Sequence, residues 1–351
     1  MVTLKVPARI CFFGDHQDYL GLPVIAGAVD RFIHLQAFPN ASKAFILNLS
    51  DINSTIHIGL EESLENLEQG DYFRSAMGVL KKKGLSFTRG YAITITSDIP
   101  INAGLSSSSA LIVAWIRFLI TSQEGIESAE DKEIGRWAYE AEVEYFRQPG
   151  GLMDHFTIAQ SGLCYIDTIT GSTERLENHL GELVVAESGV PKNTLSVLKN
   201  ARVFAQNALA AVQTAHPEFD LHTATNDDCE RYKHLINPKY RNHWYAAIQN
   251  YQITKQAKHV LLQNKSSPEQ LGILMNRHQQ ILQNQIRNTP APMIAMMDAV
   301  RKKGAFGAKI VGSGGGGCIV AITNEKHKDD VIATFLQHGA TAAYGVNLVL
   351  P

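Results

Sequence analysis

The sequence predicts an α+β protein of two lobes, because strand-like and helix-like segments are segregated along the chain. The first hundred residues contain six short segments that are rich in β-branched and aromatic residues and bounded by turn formers, which is typical of strands. After Pro100, apolar and amphipathic runs at 106–120 and 131–146 predict helices. A doubly wound parallel sheet would need strands and helices in alternation. We therefore expect one lobe over 1–185 and a second over 186–351.

The individual elements follow from the same patterns. The six early strands are LKVPARICFF, PVIAGAV, RFIHLQAF, AFILNLS, STIHI and RGYAITITSD, with one helix near 72–83. Later strands are predicted at GLCYID, GELVVAES, AKIVG, GCIVAIT and the tail TAAYGVNLVL. Later helices are predicted at 191–215, 240–263, 268–287, 292–303 and 326–338. The stretch 216–238, rich in Asp, Asn and Thr, is expected to be a mobile insertion.

Composition excludes several classes of function. The chain has 351 residues, and its 32 Lys and Arg against 34 Asp and Glu give a net charge of −2, so we expect no nucleic-acid partner. The longest apolar stretch, 110–120, contains Arg117 and falls far short of the roughly 20 residues of a membrane span. No signal peptide is evident. The four cysteines are scattered, which argues against zinc modules and disulfide frameworks and favours a reducing, cytoplasmic location.

A serine-rich segment, PINAGLSSSSA at 100–110, leads directly into a predicted helix. Small residues allow close backbone approach to a ligand, and the first turn of a helix offers unpaired N–H groups at the positive end of its dipole. This combination binds phosphate. The alternative is an ordinary N-cap, for which one Ser would suffice.

A glycine-rich segment, GSGGGGC at 312–318, lies between two strands that the pattern predicts to be buried. A flexible hairpin loop is the alternative interpretation. Neither small-residue segment matches GxxxxGK[ST] or GxGxxG followed by a suitable acid, so a P-loop and a dinucleotide site are both disfavoured.

Polar side chains form a third group, in which Arg9 precedes Asp15, His16 and Asp18 at the end of the first strand. Such a cluster could bind the hydroxyls of a small polyol, although a solvated turn is the alternative. Asp154 follows two glycines and could equally be an acid at a helix N-terminus.

Together, and in this order, these segments resemble the GHMP kinase superfamily, and within it the galactokinase-like sugar kinases. PARICFFGDHQDYLGLPVIAGAVD is similar to the sugar-kinase opening motif, PINAGLSSSSA to the second, phosphate-binding motif, and GAKIVGSGGGGCIVAI to the third. AEVEYFRQPGGLMDHF resembles the galactokinase stretch that carries the catalytic aspartate. The resemblance implies a two-lobed GHMP kinase fold with the active site in the inter-lobe cleft and with ATP along the second motif.

The resemblance also implies a role for each matched residue. Asp154 would be the catalytic carboxylate with Arg9 beside it, and Ser108 and Glu142 would be ligands of Mg²⁺. The residues that would cradle the triphosphate are Gly104, Leu105, Ser106, Ser107, Ser108 and Ser109. Sugar hydroxyls would be held by Asp15, His16, Asp18 and Asp154. Gly314, Gly315 and Gly316 would belong to the loop that closes over the site.

The implied activity is transfer of phosphate from ATP to the anomeric hydroxyl of a monosaccharide, which gives a sugar 1-phosphate. Two departures leave the sugar open among galactose, uronic acids, arabinose and other hexoses: Asp15 stands where galactokinases have Glu, and GSGGGGC is closer to the mevalonate-kinase branch. A mevalonate-type kinase is therefore the alternative, and a non-catalytic sugar sensor on the same fold is a further one. The intact Asp154, Arg9 and serine motif argue against the sensor. The sequence leaves the oligomeric state open.

Overall fold

The computed structural model describes residues 1–100, 104–177, 179–191, 194–263 and 267–350, without the side chains of 194–197. Over these ranges the chain forms two sheets and helices that pack on them, which confirms the predicted α+β class and its two lobes. No helix in the described ranges has the length and apolar character needed to cross a membrane.

The first sheet contains seven strands, all but one pair of them antiparallel. They are β1 (Val2–Phe13), β2 (Val24–Pro39), β3 (Ala44–Leu49), β4 (Ser54–Gly59), β5 (Tyr91–Ser97), β6 (Leu163–Ile166) and β7 (Thr173–Leu176). Their order is β4-β3-β5-β2-β6-β7, β1 pairs with β2, and the parallel pair is β3 with β5.

The two segments expected as separate strands, PVIAGAV and RFIHLQAF, are one continuous strand, β2. Their charged junction, Asp30 and Arg31, lies where the β1–β2 register shifts between Pro7 and Ala8. A bulge places extra residues in one strand without ending it. The charges that suggest a strand break therefore mark a bulge.

Four helices accompany the first sheet: α1 (Tyr72–Lys82), α2 (Ser107–Ser122), α3 (Asp131–Tyr139) and α4 (Met153–Gln160). A wider π-type turn, Glu140–Glu144, continues α3. Because α2 is apolar on nearly all sides, it lies in the interior, where Trp115 and Phe118 pack against Phe45. Its first turn is thereby held in a fixed position beside β1.

The second sheet is antiparallel, in the order β11-β8-β10-β9. Its strands are β8 (Glu182–Glu187), β9 (Gly307–Ile310), β10 (Cys318–Thr323) and β11 (Ala342–Val346). Successive residues of β10 alternate between two apolar clusters, as a strand buried on both faces requires. The division expected at residue 185 falls inside β8, which pairs with β10 along its whole length.

The remaining helices are α5 (Thr194–Ala215), α6 (Asn226–Arg231), α7 (Arg241–Leu261), α8 (Pro268–Ile281), α9 (Ala291–Arg301) and α10 (Lys328–Gln337). A π-type turn, Leu282–Ile286, continues α8. Short 3₁₀ turns occur at Asp18–Leu20, Ser50–Ile52, Lys233–Leu235, Pro238–Tyr240 and Glu325–His327.

The expected mobile insertion at 216–238 is instead a packed part of the second half. Leu221, Cys229 and Ile236 are buried in one cluster with Trp244 of α7. The Asp-, Asn- and Thr-rich composition reflects the capping of α6, where Thr225 and Asp228 form a capping box.

The end of the chain returns to the first sheet. The Val349 N–H donates to the Ala28 carbonyl at 2.9 Å, and the Val349 carbonyl accepts from the Gly162 N–H at 2.8 Å. Asn347 is hydrogen-bonded to Asp30 through both backbone and side chain. The second half is thus also attached to the first directly after β11, whose Val346 pairs with Leu183 of β8.

Candidate active site

The ends of β1, α2 and α4 meet at a cavity of about 460 Å³, which is within the range of small-molecule sites. Leu198 of α5 and the Gly312–Ser313 loop line it from the second half of the chain. Most of the residues that the sequence selected line this one cavity: Arg9, Asp15, His16, Asp18, Gly104, Ser106, Ser107, Ser108, Ser109, Glu142 and Asp154.

Arg9 and Asp154 form a two-point ion pair in the cavity wall. Arg9 Nε donates to Asp154 Oδ1 at 2.7 Å, and Arg9 Nη2 donates to Oδ2 at 2.8 Å. Arg9 Nη1 donates to the Gly104 carbonyl at 2.7 Å, so the same guanidinium also fixes the turn before α2. The Arg9 side chain is 4% exposed and that of Asp154 is 26% exposed, so the carboxylate is the partner that a ligand can reach.

The electrostatics of this pair keep Asp154 ionised. Burial by itself would raise the pKa of Asp154, but the Arg9 charge, its hydrogen bonds and the Ser106 hydroxyl outweigh burial and lower that pKa to about 2. Ser106 Oγ donates to Asp154 Oδ2 at 2.5 Å. Since Oδ2 already has two donors, Oδ1 is the oxygen with the greater remaining capacity for a substrate hydroxyl.

The serine segment begins α2 with an unusual backbone. Gly104 has φ = 93° and Ser106 has φ = 59°, a left-handed conformation that non-glycine residues rarely adopt. Ser107, Ser108 and Ser109 then occupy the first helical turn, whose N–H groups have no carbonyl one turn earlier. Leu105 differs from its neighbours because its side chain is buried in the core. Ile101, Asn102 and Ala103 lie outside the described residues.

The two expected metal ligands face the same cavity from different helices. Glu142, in the π-type turn after α3, is buried, and its Oε2 accepts from Ser109 Oγ at 2.8 Å. Nε2 of His155 lies 2.6 Å from the same oxygen. Glu142 is thus held in place by Ser109, the neighbour of Ser108, while Oε1 lies outside these two contacts. No group of three or more His, Cys, Asp or Glu side chains forms a metal cluster in the described part of the chain.

Asp15 is placed in the cavity wall with its oxygens turned away. Both carboxylate oxygens are buried, and Oδ2 lies 2.7 Å from Nζ of the fully buried Lys309. That ammonium also donates to the carbonyls of Cys11 and Ile310, so all of its contacts are with oxygen atoms inside the protein. Burial opposes ionisation of Asp15, but Lys309 lowers its pKa below the usual value. The expected sugar contact is therefore not presented to the cavity in this state.

His16 and Asp18 follow on the turn after β1. Nε2 of His16 lies 2.9 Å from the Ser313 carbonyl of the glycine-rich loop, and Nδ1 lies 3.3 Å from the Tyr19 hydroxyl. Burial and the neighbouring Asp154 charge raise the pKa of Asp18 to about 7. A Cβ at Gly151 would lie 1.9 Å from Asp18 Oδ2, so only glycine allows this approach.

The glycine-rich loop meets the cavity at its first two residues, Gly312 and Ser313. The expected closing residues pack elsewhere: a Cβ at Gly314 would lie 2.6 Å from the Asn288 carbonyl, and one at Gly316 would lie 2.5 Å from the Pro191 carbonyl. Gly315 donates its N–H to the Asn288 carbonyl. These glycines therefore permit close backbone packing behind the loop.

Two site residues escape prediction from sequence. Lys309 is fully buried in β9, and its signal is a lysine inside an otherwise apolar strand segment, because a buried ammonium needs an anionic partner. Asn288 donates to the Ser313 carbonyl at 3.1 Å and lies 3.0 Å from Nε2 of His16. Asn288 is buried, and nothing in its sequence neighbourhood distinguishes it from the other asparagines of the chain.

Comparisons with known proteins agree with this geometry. The GHMP kinases N-terminal domain model matches residues 71–162, and the GHMP kinases C-terminal model matches 259–341. Galactokinase from Thermotoga maritima is 26% identical over 361 residues, covering 99% of this chain and 96% of that protein. Mevalonate kinase from Thermococcus gammatolerans is also 26% identical, covering 96% and 94%.

The fold comparison gives the same result. The crystal structure of Lactococcus lactis galactokinase complexed with galactose superposes with a TM-score of 0.86 at 20% identity, covering 99% of this chain and 93% of that one. Three observations therefore indicate the same family: the motifs at Arg9, 104–109 and Asp154, the two family models, and the relatives that match nearly the whole chain. The chain belongs to the GHMP kinase family and is a phosphotransferase with an alcohol group as acceptor.

Proposed function

We propose that this protein is an ATP-dependent sugar kinase that phosphorylates the anomeric hydroxyl of a monosaccharide and yields a sugar 1-phosphate. The observation that carries the proposal is the chain of contacts from the serine turn through Ser106 to Asp154 and Arg9. It joins a phosphate-binding helix start to an ionised carboxylate across one cavity. Phosphoryl transfer needs this alignment and charge stabilisation more than covalent chemistry by the protein.

The first turn of α2 is the part suited to the triphosphate. The N–H groups of Ser107, Ser108 and Ser109 and the dipole of α2 favour negative charge at this point. Arg9 adds a permanent positive charge nearby, which offsets charge that develops on the transferred group.

Asp154 is suited to hold the acceptor hydroxyl. A carboxylate with a pKa of about 2 is a weak base, so it orients the hydroxyl by accepting its hydrogen bond before transfer begins. The proton passes to Asp154 only as bonding to phosphorus makes the hydroxyl more acidic. This order is consistent with a loose transition state for phosphoryl transfer.

Ser108 and Glu142 fit a magnesium ion by their chemistry, because Mg²⁺ prefers hard oxygen ligands and is commonly held by one or two carboxylates together with phosphate oxygens. Both residues line the cavity beside the helix start. A bound Mg²⁺ would neutralise phosphate charge there, while Ser109 and His155 hold the Glu142 carboxylate in position.

A mevalonate-type kinase is the second candidate, favoured by the GSGGGGC loop and by the mevalonate kinase of Thermococcus gammatolerans among the relatives. The polar wall formed by His16 and Asp18 weighs against it, because mevalonate has fewer hydroxyl groups than a monosaccharide to pair with these side chains.

The test is ADP release with Mg-ATP and a panel of free sugars, mevalonate and homoserine. Phosphorus NMR of the product then locates the phosphate. We expect turnover with at least one sugar and an anomeric phosphate in its product. Turnover with mevalonate alone, or with no acceptor, refutes the proposal.

A further inference from the structure

A second cavity of about 680 Å³ adjoins the active-site cavity. Gln69, Val143, Gln148 and Pro149 line both cavities, so the two cavities share one edge. One side of the second cavity is formed by α5 and the other by the segment 143–149.

The lining of this second cavity is strongly basic. Arg147, Lys199 and Arg202 all face it, and none of the three makes an ion pair within the part of the chain that the structure describes. Its one acid, Glu144, is already paired with Arg136 at 2.9 Å. Three unneutralised cations around one cavity attract an anion, and in a chain of net charge −2 they are not explained by overall composition.

The basic cavity lies on the acceptor side of the active site. Arg202 is close enough to Tyr19 for its charge to influence the pKa of that phenol, and Gln206, one turn further along α5, lies 3.5 Å from the Tyr19 carbonyl. The Tyr19 hydroxyl in turn lies 3.3 Å from His16 Nδ1. Arg202 therefore flanks the turn that carries His16 and Asp18, whereas the donors for the triphosphate are on α2.

Asp15, which the sequence selects as a ligand of a sugar hydroxyl, does not expose its carboxylate to the cavity. Both of its carboxylate oxygens are buried, and one of them contacts Lys309. A site that does not hydrogen-bond one hydroxyl does not select for it, so recognition must come from other side chains. Exposed guanidinium and ammonium groups suit a carboxylate or phosphate.

We infer that the acceptor sugar carries an anionic group, a carboxylate or a phosphate, which binds Arg202 together with Lys199 and Arg147. This inference rests on the proposed function and narrows its substrate class to acidic sugars. Arg202 is half-buried and can offer its two-pronged donor edge, while the exposed Lys199 and Arg147 add charge around it.

The test compares sugars in matched pairs that differ only at carbon 6: D-galactose with D-galacturonate, D-glucose with D-glucuronate, and D-glucose with D-glucose 6-phosphate. Kinetic constants for sugar and for ATP are measured separately on the wild type, Arg202→Gln and Lys199→Gln. Lys303→Gln, an exposed cation that lines neither cavity, is the matched control. Thermal unfolding of each variant checks its fold, and the exposed Lys199 gives a second variant if Arg202→Gln is unstable.

We expect an acidic member to be the better substrate of its pair. Arg202→Gln should lower kcat/KM for that acidic sugar by about 10- to 100-fold, the range of one charge-assisted hydrogen bond. It should leave the KM for ATP and the rate with neutral sugars nearly unchanged.

Preference for neutral sugars, with no effect of Arg202→Gln, overturns the inference and leaves the sugar-kinase proposal standing. An effect confined to the KM for ATP also overturns it, because the anion would then be the triphosphate. Turnover of no sugar at all refutes the proposed function, and the inference with it.

Discussion

Replacing Asp154 by Asn is the sharpest test of the proposed chemistry. The amide keeps the size of the side chain but cannot take a proton, so kcat should fall by about 10²- to 10⁴-fold, the usual contribution of a positioned base. The KM for ATP should change little, because the triphosphate donors lie on α2 and not on α4. Steady-state kinetics with the best sugar measure both constants, and Asp51→Asn, an exposed carboxylate far along the chain, is the control.

The same substitution should also lower stability, by an amount that the structure allows us to work out. The pKa of Asp154 falls from 3.8 to about 2 even though burial opposes the fall. At 1.36 kcal/mol per unit, the partners of this carboxylate contribute at least about 2 kcal/mol. Because the folded pKa is lowered, this stabilisation is complete above pH 4 and is lost as the pH falls towards 2.

Denaturant unfolding of Asp154→Asn, Arg9→Met and the double variant separates the stability effect from the catalytic one. Each single variant should lose more free energy of unfolding than the about 2 kcal/mol worked out from the pKa, because each leaves a polar or charged group of the buried pair without its partner. The double variant should recover part of the loss. Near-normal kcat in a folded Asp154→Asn, or strictly additive losses in the double variant, would contradict the reasoning.

Three further predictions concern neighbouring residues. Ser108→Ala should raise the KM for Mg-ATP and the Mg²⁺ concentration needed for half-maximal rate, while Ser108→Thr keeps both; equal behaviour of the two variants would argue against a hydroxyl ligand. Lys309→Met should lower the free energy of unfolding by about 3–5 kcal/mol, because it leaves Asp15 buried and unpaired; the double variant with Asp15→Asn should lose less, and a loss of the same size in both would exclude the ion pair as its cause. The pKa of Asp18 is raised to about 7, so the folded protein loses stability as the pH rises from 4 to 7 and this carboxyl ionises. The free energy of unfolding of Asp18→Asn, relative to that of the wild type, should therefore be about 2 kcal/mol larger at pH 8 than at pH 5 in denaturant titrations. A difference independent of pH would contradict the raised pKa.

The parts of the fold that could be predicted are those with a periodic pattern. Strand segments and long helices follow from alternation and from the 3.6-residue repeat, and α2 is recognisable because its small-residue start precedes an apolar run. The continuity of β2 was not predictable, because Asp30 and Arg31 form a bulge whose partner residues are distant in sequence. The packing of 216–238 could not be predicted either, since capping residues and loop residues have the same composition.

The candidate site shows the same division. Arg9, Ser106 and Asp154 could be selected from motifs, but their contacts depend on tertiary structure. Arg9 binds Asp154 and the Gly104 carbonyl, which are 145 and 95 residues away in sequence. The ion pair of Asp15 with Lys309 could not be predicted, because it joins the turn after the first strand of the chain to a strand near its end.

The return of Val349 and Asn347 to β2 has a mechanical consequence. Val346 pairs with Leu183 at the start of β8, so this attachment lies beside the covalent crossing between the two halves. Two neighbouring links act as one junction, and residues of both halves also share one apolar cluster. Removing the last five residues should loosen this junction, which faster hydrogen exchange of the β2 and β8 amides would report.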